Sequence, residues 1–146
     1  MTSSLDFYLQ PGDEVQLERD VTEAAVNAFA DVSGDHSPNH VDEGQMSASA
    51  YDGRIAHGAL LVAYMSACST DIVERIPNVR ATETPVSLGY DRIRFIKPVF
   101  IGDRVTLRYK VRDVDAERRR ARADITITNQ NGDTVCVGEH ILKWVR

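Results

Sequence analysis

Apolar residues recur at Val21, Ala24, Ala25, Ala28, Phe29 and Val32, a spacing that predicts an amphipathic helix. Asp20 followed by Glu23 resembles a capping-box start, and Ser33-Gly34 supplies a stop. A short edge strand is predicted before it, over 13–19. A second short helix is predicted from Asp42, as its cap, to Ala50, with Tyr51-Asp52-Gly53 ending it. The segment Gly58 to Arg75 has a different pattern: Leu60, Leu61, Val62, Ala63, Met65, Ala67, Cys68, Ile72 and Val73 wrap most of the way round a helix that ends before Pro77. A helix apolar on most sides has to be enclosed.

The second half of the chain switches to a period of two. Residues 85–97 read as a strand. Val105, Leu107, Tyr109 and Val111 alternate with Thr106, Arg108, Lys110 and Arg112, and Ala121, Ala123, Ile125 and Ile127 alternate with Arg122, Asp124, Thr126 and Thr128. Asn131-Gly132 signals a hairpin turn into a last strand from Thr134 to Val145. Together these elements predict an α+β fold, an antiparallel sheet curled around one buried helix. Its free edges predict pairing with a second copy.

The 146 residues, without repeat or linker, fit one domain, 1–146. A formal charge of −5 disfavours broad binding to nucleic acid or anionic membranes. Cys68 and Cys136 are too few and too far apart for a disulfide framework or a CxxC site, and read as reduced thiols of a cytoplasmic protein. Met1 to Gln10 lacks the basic start of a signal peptide. The charge-free run Ile55–Thr70 is shorter than the roughly 20 residues that span a bilayer.

Candidate chemistry gathers in the loop Ser33-Gly34-Asp35-His36-Ser37-Pro38-Asn39-His40. Asp35 and His40 on a turn stiffened by Pro38 can converge on one small molecule, and such a pair activates water. The competing reading is that Asp35 satisfies loop amides and His40 is a surface residue, as turns favour both types. Ile55-Ala56-His57-Gly58 leads into the enclosed helix and places free N–H groups and the positive dipole end at Gly58, where an oxyanion could be cradled. Here the alternative is a helix start that merely tolerates glycine. Ser66, further along, either bonds a buried carboxylate or only its own backbone. His57 is expected to shape the site rather than take part.

His36 and His40 stand four apart, but Pro38 between them and the lack of HExxH or a Cys cluster argue against a metal. GxGxxG, P-loop and GxSxG motifs are absent. Arg118, Arg119, Arg120 and Arg122 form a basic cluster at a predicted hairpin end, by default a solvated turn and alternatively a grip for phosphates. Arg92, Arg94 and Lys97 compete for that binding role.

The stretches SGDHSPNHVDE (Ser33–Glu43), RIAHGALLVAYMS (Arg54–Ser66) and RIRFIKPVFIGDRV (Arg92–Val105) resemble the MaoC-like, or (R)-specific enoyl-CoA hydratase, family. The resemblance implies a hot-dog fold, two such units forming a homodimer or larger homo-oligomer, and reversible (R)-specific addition of water to a trans-2-enoyl thioester. The family's catalytic Asp and His fall on Asp35 and His40, its helix-start Gly on Gly58, and the serine supporting the Asp on Ser66. No cofactor is expected beyond coenzyme A as part of the substrate, and an acyl carrier protein thioester is the other expected carrier. Ser37 stands where the family commonly has Asn, and the turn is more polar than usual at His36 and Asn39. The alternatives are a thioesterase of the same fold, or a subunit that binds an acyl thioester without turnover.

Overall fold

The computed structural model describes residues 7–76 and 82–146. It contains β1 (Glu14–Asp20), α1 (Glu23–Ser33), α2 (Pro38–Val41), α3 (Glu43–Ser47), α4 (Gly58–Glu74), β2 (Thr84–Phe95), β3 (Arg104–Asp115), β4 (Arg120–Thr128) and β5 (Thr134–Val145). The strands form one antiparallel sheet in the order β1-β3-β4-β5-β2, so β1 and β2 are its edges. This is the α+β sheet-around-helix arrangement that the two periodicities predict.

The alternation of β3 and β4 sends Val105, Leu107, Tyr109, Val111, Ala121, Ala123, Ile125 and Ile127 inward. Against them α4 buries Leu60, Leu61, Met65, Cys68, Ile72 and Val73. Its small residues Ala59, Ala63 and Thr70 stay on the uncovered side. The helix therefore lies over β1 and β3 and stands further from β2. Pro77, expected to stop it, lies outside the described residues. Among those residues no helix is long and apolar enough to cross a membrane. Cys68 and Cys136 are free thiols, and burial pushes both up to about 11.

Three local expectations change. Asp20 ends β1 instead of capping α1; the cap is Thr22, whose hydroxyl accepts from the Ala25 N–H. The buried face of α1 carries Val26 and Ala30, with Phe29 beside them, while Val32 is 82% exposed. The predicted stripe was displaced because Val21 belongs to the connection before the helix. Finally, the loop after Gly34 winds into the single turn α2, with Pro38 at its start, where the missing N–H costs nothing. Asp42 then caps α3 as predicted, accepting from the Gln45 N–H.

Candidate active site

Gly34 adopts a left-handed conformation at the end of α1 and turns the chain back, so Asp35 begins a tight turn. One carboxylate oxygen of Asp35, Oδ1, accepts from the Ser37 N–H at 3.2 Å. The other, Oδ2, faces His40 Nε2 at 3.8 Å. Both readings of Asp35 therefore coexist in one side chain: it caps the loop with one oxygen and presents the other to an imidazole. Nδ1 of His40 lies 2.7 Å from the Ile55 carbonyl and must donate to it, which leaves Nε2 as the lone-pair nitrogen toward Asp35. Ser37 contributes its backbone and makes no side-chain cap.

His57 is the floor of this arrangement. It is 2% exposed, its ring stacks on that of His40 at 3.7 Å, and the Phe29 ring tilts against it at 4.8 Å. Its Nε2 donates to the Asp35 carbonyl at 2.9 Å, so a single buried ring holds both Asp35 and His40. Its Nδ1 has no partner among the described residues.

Among the described residues, Asp35, His40 and His57 each bring one ligand-capable atom to within 4.8 Å of the others and could hold a metal. His40 Nδ1 and His57 Nε2 are already bonded to the Ile55 and Asp35 carbonyls, which leaves one nitrogen of each ring. The 3.8 Å gap between Asp35 and His40 suits a water at about 2.8 Å from each. His36, weighed with His40 as a ligand, turns away to pair with Asp31, which holds its imidazole above the usual range.

A cavity of about 340 Å³ opens beside His40, lined also by Tyr51, Ile55, Gly58, Leu61, Phe95 and Lys97. The first turn of α4 forms part of its wall. His57 precedes that turn and offers it no side-chain cap, so N–H groups of the turn remain for a ligand. A Cβ on Gly58 would come within 2.5–2.7 Å of the Phe95 ring, which supplies a steric reason for glycine there.

The remaining predicted residues divide. Lys97 is at the cavity and pairs with Asp133 at 3.3 Å. Arg92 and Arg94 do not line it: Arg92 occupies an irregular stretch of β2 at φ 52°, and Arg94 donates to the Ile93 carbonyl. Ser66 lines a separate cavity with Ser69, Thr70 and Ser87. Arg119 is occupied by the buried carboxylate of Glu83.

Arg54 was overlooked from sequence. Although 7% exposed, it donates to the His40 carbonyl, to Glu23 and to Asn27. It ties the site to α1. The available signal was Glu23 and Asn27, two acceptors one helical turn apart, with an arginine at the head of the second motif.

A model of the MaoC-like domain matches residues 7–133. This chain belongs to the MaoC-like family. Among its relatives, Nodulation protein N of Rhizobium meliloti is 37% identical over 76% of this chain and 65% of its own length. The 3-hydroxybutyryl-CoA dehydratase of Methylorubrum extorquens is 32% identical over 87% of this chain and 75% of that one. The solved (R)-hydratase from Aeromonas caviae superposes with a TM-score of 0.80, at 28% identity, over 92% of this chain and 96% of that one. The sheet-wrapped helix is thus a hot-dog fold, shared with the solved (R)-hydratase.

Proposed function

We propose that this MaoC-like protein catalyses the reversible, (R)-specific hydration of trans-2-enoyl thioesters carried on coenzyme A or an acyl carrier protein. The observation that carries the reading is the placement of two kinds of group around one cavity. Asp35 Oδ2 and His40 Nε2 face each other across 3.8 Å beside it, and the open first turn of α4 at Gly58 forms part of its wall. The names of the dehydratase and hydratase relatives support the same reaction class.

In this reading Asp35 orients a water and His40 Nε2 takes one of its protons. The oxygen bonds to C3 of the enoyl group, and the C2–C3 π pair shifts to leave an enolate on the thioester oxygen. The N–H at Gly58 holds that oxygen, a contribution of about 3–4 kcal/mol for one such donor. The proton on His40 then passes to C2, so water adds to one face and the imidazole returns to its starting state. His57, under both residues, is a positioning group. A second copy is expected along the β2 edge, where Leu88, Phe95 and Ile96 are exposed.

The test is a screen of trans-2-enoyl-CoA esters of increasing length, followed by loss of the conjugated thioester absorbance and chiral analysis of the product. The (R)-3-hydroxyacyl product is expected. Release of free thiol without hydration would instead indicate a thioesterase, and tight binding without turnover a binding subunit.

A further inference from the structure

Helix α2 is a single turn of four residues, too short to hold its own shape, so the direction of the His40 ring depends on what bonds the turn from outside. Its carbonyls divide into two groups. Those of Ser37 and Pro38 are taken within the turn, the first by the His40 and Val41 N–H groups and the second by the Asp42 N–H. The next two are taken by the stretch that leads into α4. The Asn39 carbonyl accepts from the Ile55 N–H at 3.0 Å, and the His40 carbonyl accepts from Arg54 Nε. That stretch is itself anchored: Ile55 bridges Phe100, and the Ala56 N–H donates to the Val99 carbonyl at 2.7 Å.

Of these two outside ties, only Arg54 bonds the turn through a side chain. Its Nη1 donates to Glu23 Oε1 at 2.9 Å and its Nη2 to Asn27 Oδ1 at 2.6 Å. One rigid plane therefore joins the end of α2 to two positions of α1. Helix α1 leads through Gly34 to Asp35, and α2 carries His40, so the guanidinium links the segments that bear the two facing groups. It is buried beside Glu23, Glu43 and Asp52, and Arg54 is not among the residues lining the cavity next to His40.

We infer that Arg54 is a positioning residue of the reaction: its guanidinium fork keeps the α2 turn against α1 and so holds His40 Nε2 toward Asp35 Oδ2. The kinetic consequence rests on the hydratase reading, whereas the placement of the ring is read without turnover. A lysine keeps the charge and can still pair with Glu23. Its single ammonium cannot reproduce the fork that meets three separated acceptors.

The test compares the wild type with Arg54→Lys and Arg54→Met, each checked for folding by circular dichroism. The rate is measured on the trans-2-enoyl-CoA ester that the wild type hydrates fastest, and the histidine ring nitrogens are observed by NMR in alkaline buffer. Wild-type His40 should show the tautomer with its hydrogen on Nδ1, as the bond to the Ile55 carbonyl requires. In both variants its ring shifts should move toward the average of the two tautomers. The kcat of Arg54→Met should fall by about 10²-fold, as for a reacting group displaced by an ångström, and that of Arg54→Lys by less. KM should stay at the wild-type value, because Arg54 does not line the cavity. An unchanged kcat in a folded variant, a fall in kcat with the His40 tautomer intact, or a general loosening in which KM rises as well would each overturn the inference. If Arg54→Met does not fold, Arg54→Lys decides alone. If the wild type hydrates no ester, the reaction reading fails, and the ring shifts then decide the role of Arg54: the same single tautomer in every folded protein overturns it.

Discussion

His40 and His140 lie in one small domain and are handled in opposite ways. His40 sits on a single helical turn behind a polar loop and keeps one nitrogen lone pair toward a half-exposed carboxylate. Its ring is steered through the backbone, by the Ile55 carbonyl and by Arg54 holding its own carbonyl, and through the stacked His57. His140 sits in mid-strand with both nitrogens satisfied by the Tyr109 and Ser87 hydroxyls and no exposed surface. Burial holds its imidazole down at about 4, and it stays neutral at physiological pH. The imidazole to which the proposed reaction gives a proton transfer keeps some exposed surface and is held from the side. One that must order hydroxyls is sealed in and kept neutral.

His140→Ala removes a buried ring and strands the Tyr109 hydroxyl, so a stability loss of about 2–5 kcal/mol is expected from urea unfolding. A loss within experimental error would mean that the core closes over the gap and that the polar chain is incidental.

Acid sharpens the contrast. The unfolded His140 takes up a proton below about 6.5, whereas the folded one resists until about 4. The folded state therefore binds fewer protons in that window, and its stability falls as pH drops through it. The loss is on the order of 3 kcal/mol and should be absent from His140→Ala. Glu83, held down to about 2 by Arg119 and Tyr8, adds a separate loss as pH falls below its ordinary 4.5. His36 works weakly in the other direction, since its raised pKa belongs to an exposed pair. Urea midpoints across pH 7 to 3 check the sign.

The two regions also differ in how far the sequence reveals them. Strands β3 and β4 were legible because one face is apolar and the other charged. The loop was legible because glycine, proline and polar residues punctuate it. The inward turn of His140 was not, since β5 carries apolar residues on both faces: Val135, Leu142 and Trp144 point in while Ile141 and Val145 are half-covered outside. The irregularities of β2 at Ser87/Gly89 and Asp91/Arg94 leave no periodic trace either. They decide that Arg92 and Arg94, adjacent in the motif to the lining residues, stay off the cavity. Helix α2 is too short to show a period. The α1 stripe was misplaced because Val21 is apolar for the core beside β1 and not for the helix.

Asp35 Oδ2 and His40 Nε2 stand 3.8 Å apart, and Asp35→Asn probes the pair with almost no change in shape. The amide keeps the oxygen that accepts from Ser37, and Asp35 is half-exposed, so the thermal midpoint should stay close to that of the wild type. The initial rate of hydration of a trans-2-enoyl-CoA, followed by its ultraviolet absorbance, should fall by about 10²–10⁴-fold, as for loss of a positioned acid–base group. A folded Asp35→Asn protein that hydrates the same ester within a few-fold of the wild-type rate would contradict the account.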